Sequence, residues 1–180
     1  MEKYNFGLDE EMVKALSEEF APLNFVKTLK LSQPHSIEDA RASLEEYGRE
    51  LARRSIEKGE KKIDRVYRVM KKAMEKTGEM KFPFIPQRYL EIAYLSIQPF
   101  RRLRIVANSS RILSYRLNEC SLYKAIEEQY GKKAANKMVC KSACFALIEE
   151  ILSHFDFDIK PSLEASMADD GKCQFKIERK

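Results

Sequence analysis

The residue pattern predicts an α+β fold: a helical N-terminal half, then an antiparallel sheet made of hairpins and packed against long helices. Two observations carry that prediction. Up to about residue 80 the apolar residues recur at three- and four-residue spacing, whereas segments 102–117 and 159–178 alternate residue by residue around turn-forming clusters. The 180 residues are most simply one domain, with 1–80 helical and basic and 81–180 carrying the sheet and every cysteine.

Asp9 to Phe20 reads as a first helix, capped by Asp9, with Met12, Leu16 and Phe20 on one face. Pro22 and Asn24 close it, and Phe25 to Leu31 is ambiguous between a short strand and irregular chain. Ser36 caps a long helix, with Asp39 as a shorter stand-in for the acid of a capping box. Ile37, Ala40, Leu44, Tyr47 and Leu51 form its apolar stripe, which runs to about Lys58, and Gly59 ends or kinks it. A third helix runs from about Glu60 to Thr77, with Ile63, Val66, Tyr67, Met70 and Met74 inward and Gly78 as its stop. Pro83 and Pro86 predict a packed connector, because two prolines at that spacing forbid a continuous helix. Tyr89 to Ile97 is apolar enough for a buried strand or a short helix, and periodicity does not arbitrate.

A hairpin is expected from Arg102–Ala107 and Arg111–Leu117 around Asn108-Ser109-Ser110, with Leu103, Ile105 and Ala107 on one side and Leu113, Tyr115 and Leu117 together. Two helices follow, Ser121–Tyr130 stopped by Gly131, and Lys133–Phe155. Strands at Ile159–Met167 and Lys172–Glu178 complete the chain, joined by Asp169-Asp170-Gly171, a strong short-range hairpin signal.

Hydrophobic residues make up 44% and charged residues 34%, the composition of a soluble and highly charged globular protein. No stretch approaches the roughly 18 apolar residues of a membrane span, and Met1–Leu8 lacks the apolar run of a signal peptide. A cytoplasmic location with no membrane partner is therefore expected. In a reducing compartment cysteines read as metal ligands, nucleophiles or small buried groups rather than as disulfides. With six glycines, no phosphate-binding loop, no HExxH and no Ser/His/Asp pattern, a nucleotide fold and the familiar hydrolase motifs are disfavoured.

The net charge of +5 is concentrated between Arg49 and Lys81, where twelve Lys/Arg face six Asp/Glu, a local excess of +6. Lys61, Arg65, Arg68, Lys72 and Lys76 share the polar face of the third helix. Such a stripe can track nucleic-acid phosphates, but it lacks exposed aromatic residues, and a solvated face is the preferred reading.

The four cysteines, Cys120, Cys140, Cys144 and Cys173, all fall between Asn118 and Phe175. Cys140 and Cys144 are four apart on a predicted helix, which puts their Cβ atoms about 5–6 Å apart on one face. Cys120 sits where the first hairpin gives way to a helix, and Cys173 opens the last strand. A helix N-terminus favours thiolate, so Cys120 is the candidate reactive thiol. The competing reading is burial alone, because the face of Cys140 and Cys144 continues through Leu147, Ile151 and His154, and there is no CxxC knuckle. His154 lies about 15 Å along the helix from Cys144 and reads as a capping or packing residue. His35 carries no signal.

From Arg102 onward a strand pair runs into NECSLYKAIEEQYG, then MVCKSAC lies in a long helix, then DDGKCQFKI forms the terminal hairpin. With these motifs the C-terminal half resembles the small α+β family of 4-vinyl reductase, or hydrocarbon-binding, domains and the related L-2-amino-thiazoline-4-carboxylic acid hydrolase-like proteins. In that family a cysteine precedes the first helix, another starts the second, and a Gly-x-Cys-x-Phe-like strand ends the chain; the matching positions are Cys120, Cys140 and Cys173. The resemblance implies a compact, often dimeric, ligand-binding fold whose cysteines bind zinc in some members and lie at the reactive site in hydrolase-like ones. An acidic residue expected shortly after the second cysteine is missing, and Cys144 stands there instead. The N-terminal half matches only as a generally helical start.

The resulting expectation is a small-molecule- or metal-binding domain, a candidate sensor, in which Cys120, Cys140, Cys144 and Cys173 hold zinc or an iron–sulfur cluster. The alternative is a thiol-dependent hydrolase with Cys120 or Cys140 as nucleophile. A third reading is nucleic-acid binding through the basic helix.

Overall fold

The structure, a computed structural model, describes residues 10–29, 36–62, 65–77, 84–99 and 103–180. The expected features at Asp9, Leu31, His35, Ile63, Gly78, Pro83 and Arg102, and the side chains of Ser36 and Val66, lie outside the described residues.

Helix α1 (Glu10–Glu19) buries Met12 and Leu16, and α3 (Ser36–Glu60) buries Leu44, Tyr47 and Leu51, as their stripes predict. Helix α1 stops before Pro22, as expected, but Pro22 also opens a short helix, α2 (Pro22–Val26), because a proline at the first helical position has no N–H to leave unpaired. Tyr47 reaches across to donate a 2.6 Å hydrogen bond to the Phe20 carbonyl. Helix α3 ends at Glu60, one residue past Gly59, which has the Tyr89 ring against it. Helix α4 (Arg65–Thr77) turns Tyr67 inward, where its hydroxyl lies 2.7 Å from that of Tyr89.

Helix α5 (Phe84–Ile97) replaces the expected connector and settles Tyr89–Ile97 as helical. Pro86 sits in its first turn, where a backbone N–H has no intrahelical partner to lose. Ile85, Tyr89, Leu90, Ile92, Ala93, Tyr94 and Ile97 are all buried, so the helix is enclosed on most sides and shows no one-sided stripe.

The sheet is antiparallel in the order β1 (Arg104–Asn108), β2 (Ile112–Leu117), β4 (Cys173–Arg179), β3 (Ile159–Ala165). The first hairpin forms as expected, with Arg104 opposite Arg116 and Asn108 opposite Leu113, but a bulge between Ile105 and Ala107 breaks the alternation and leaves Ala107 exposed. Leu113, Tyr115 and Leu117 of β2 and Cys173, Phe175 and Ile177 of β4 form the inner face. That face packs on α5 through Tyr94 and Tyr115, whose ring centroids are 5.5 Å apart, and on α8 (Lys141–His154) through Phe145 and Phe175 at 5.8 Å. Strand β3, at the edge, carries Pro161 opposite Ile177.

Two C-terminal expectations are corrected. The single helix read over Lys133–Phe155 is two, α7 (Lys132–Ala135) and α8, separated by a turn in which Met138 adopts φ 52°. The last two strands are joined by a helical turn, α9 (Met167–Asp170), rather than by a tight Asp-Gly hairpin. Ser166 caps that turn by accepting from the Asp169 N–H, and Gly171 leaves it at φ 65°, a left-handed conformation that glycine adopts without a Cβ clash. Helix α6 (Ser121–Tyr130) ends at Gly131 as expected. Against the other side of the core α3 lies along α8, so close at Gly48 that a Cβ built there would fall 2.1 Å from the Ala143 carbonyl oxygen. Among the described residues no helix is long and apolar enough to cross a membrane.

Candidate thiol site

The four cysteines lie at or near the starts of α6, α8 and β4. Cys120 is the N-cap of α6, in extended conformation (φ −135°, ψ 109°), and its Sγ accepts the Tyr123 N–H at 3.4 Å. Cys140 is the N-cap of α8 and makes no capping bond of its own; of the neighbouring groups, its thiol has the largest influence on Cys120. Two helix N-termini therefore converge on two neighbouring sulfurs. Cys144 lies one turn further along α8, and Cys173 is paired across β2 and β4 with Leu117, three residues before Cys120. All four are buried, none more than 5% exposed, and the charge of Cys120 reaches each of the other three.

The electrostatics divide them. The Cys140 side chain holds the Cys120 thiol below its ordinary pKa, outweighing burial with the help of the Tyr123 and Leu122 N–H groups and the Gln98 side chain. Cys140 is held well above it by Cys120, with burial adding to the effect. Burial and the charge of Cys120 raise Cys144, although the Tyr94 hydroxyl donates to it. Burial, then Cys120, push Cys173 up to about 12. Of the four, Cys120 is therefore the thiol that ionises first.

Sequence reasoning missed the groups that support this arrangement. Gln98, just beyond α5, accepts the Ser121 N–H through Oε1 at 2.7 Å, which turns its Nε2 toward Cys120. That Nε2 is buried and short of hydrogen-bond geometry with any acceptor. Tyr94 and Tyr115 are hydrogen-bonded to each other at 2.9 Å beside Cys144. No residue-level signal marked either group, since both arrive from elements distant in sequence.

The donor set suits a soft ion, being thiols alone. Its placement is less ready: among the described residues no three Cys, His, Asp or Glu side chains come together as a group that could hold a metal ion. His154 is remote from the thiols, exposed at the end of α8 with its ring edge-on to Phe155 at 4.8 Å. Arg65, Arg68, Lys72 and Lys76 are exposed on α4, while Lys61 lies before it, paired with Glu57 at 2.8 Å. An open groove of about 350 Å³ runs between α3, α8 and β3, lined by Glu45, Arg49, Phe145, Glu149 and Pro161 among others, and no cysteine lines it.

No family model matches the chain, and a search of curated proteins finds no match.

Proposed function

We propose that the chain is a small-molecule-binding domain that engages its ligand through the Cys120 thiolate, with Cys140 as the neighbour that keeps it ionised. What supports this reading is one observation: Cys120 caps α6, accepting the Tyr123 N–H at 3.4 Å at the helix N-terminus, where Cys140 is its strongest electrostatic neighbour. Competitive labelling of the reduced protein with iodoacetamide tests it. Cys120 is expected to alkylate before the other three, and a first label on Cys144 or Cys173 would refute the assignment. In the hydrolase form of this reading the Cys120 thiolate adds to the C=N carbon of a thiazoline carboxylate, the π pair passes to the ring nitrogen and is protonated there, and turnover disappears in Cys120→Ser.

A second reading, zinc or an iron–sulfur cluster on all four thiols, draws on the reach of the Cys120 charge to each of the other three. It requires side-chain rearrangement to close the site. Elemental analysis and an absorption spectrum of anaerobically purified protein decide it. About one zinc per chain, or a brown chromophore, lost in Cys144→Ser, supports the metal; a colourless, metal-free protein removes it.

A further inference from the structure

We propose that Cys120 and Cys140 are a redox-active dithiol, converted to a disulfide by a small hydroperoxide. The inference deepens the reading of Cys120 as the working sulfur and does not depend on a metal.

Three observations carry it. Cys120 and Cys140 stand at the N-cap positions of helices of ten residues or more and are electrostatic neighbours, so both helix N-termini favour negative charge at the same place. Cys140 makes no capping bond, so its side chain turns toward Cys120 without breaking a bond to the start of α8. The Gln98 Nε2, buried and without an acceptor, is directed at the sulfur that would carry oxygen in a sulfenic acid. The residue is 7% exposed. The site is enclosed, with Cys120 2% exposed, so an oxidant near the size of water reaches it far more readily than a bulky disulfide does.

The chemistry balances with the hydroperoxide as oxidant. The Cys120 thiolate attacks the terminal oxygen of R–O–OH, the O–O bond breaks, and the departing alkoxide takes a proton from Cys140. Cys120 is then a sulfenic acid and Cys140 a thiolate. The Cys140 thiolate attacks the Cys120 sulfur, the S–OH bond breaks, and hydroxide leaves and is protonated to water. Two thiols and one hydroperoxide give one disulfide, one alcohol and one water, and a thiol reductant reverses the oxidation.

The test uses the full-length, reduced, chelator-treated protein and hydrogen peroxide as probe. Free thiols are expected to fall from four to two per chain, with a mass loss of about 2 Da. Peptide mapping should join Cys120 to Cys140, and dithiothreitol should restore both. Cys144→Ser should still form this bridge. Cys140→Ser should stop at a dimedone-trappable Cys120 sulfenic acid, which keeps the proposal testable whether or not the mutant is fully stable. A bridge to Cys144 or Cys173, oxidation of Cys120 to sulfinic acid in the wild type without a bridge, or four thiols surviving excess peroxide would overturn the proposal. None of those outcomes alters the alkylation order, so the reading of Cys120 as the binding thiolate fails or stands separately.

Discussion

Cys140 is the residue that makes Cys120 different from three chemically identical neighbours. Its side chain is the largest influence holding the Cys120 thiol down. Replacing it with alanine is therefore expected to move the pH midpoint of Cys120 alkylation upward, while Cys140→Ser, which keeps a donor, moves it less. Thiolate absorbance near 240 nm, followed against pH, reads the same shift; an unchanged midpoint in Cys140→Ala would assign the effect to the α6 N-terminus alone. The position of Cys120 was visible in the sequence because a hairpin ends and a helix begins there. That of Cys140 was not, since it depends on Met138 at φ 52°, a backbone state that a glycine or asparagine would have announced and a methionine does not. Gln98 had no signal at all: its role follows from where the end of α5 meets the start of α6.

Helices α3 and α8 are in contact at Gly48, and that contact sets the height of the thiols, because Ala143 lies between Cys140 and Cys144. Glycine to alanine inside a helix ordinarily stabilises by about 1 kcal/mol. Here the added carbon would stand 2.1 Å from a backbone oxygen, so the sign reverses and the helices must part. Gly48→Ala is expected to lower stability by about 1–3 kcal/mol, measured as a shift in urea midpoint at unchanged slope. It should also disturb the alkylation order of the four cysteines. Amphipathic α1 and α3, and the alternation of β2, were legible because one side faces the core and the other water. Helix α5 was not, because a helix buried nearly all round has no polar face to set its period, and its first-turn proline reads as a breaker.

The helical half is fastened to the rest by a polar network that no single segment reveals. Tyr89 donates to Glu60 at 2.6 Å, Lys71 bonds the same carboxylate at 3.2 Å, and Tyr67 meets Tyr89, so α3, α4 and α5 share one junction. Burial raises the Glu60 pKa, but the hydrogen bonds from Tyr89 and Lys71 outweigh it and leave the group below its ordinary value. Its contribution to stability is present above the unfolded carboxylate pKa of about 4.3 and is lost as pH falls through the lower folded value. Burial pushes Tyr67 up to about 12, so its contribution is present below the ordinary tyrosine pKa of about 10 and is lost as pH rises through the folded value. Glu60→Gln should flatten the fall of Tm between about pH 5 and 2 and leave the alkaline limb in place; an acid limb of unchanged steepness would place the acid sensitivity elsewhere.

The α+β arrangement follows from periodicity and turn chemistry. The junction does not, because it joins residues from three helices with no local pattern in common. One further consequence belongs to the sheet. Its two outer strands are each unsuited to recruiting another strand: β3 has a proline, with no N–H to offer, at Pro161, and β1 is bent by the bulge between Ile105 and Ala107. A sheet blunted at both margins resists edge-to-edge polymerisation, so copies of this chain crowded together would have to associate through side-chain faces and would lack a template for fibrous growth.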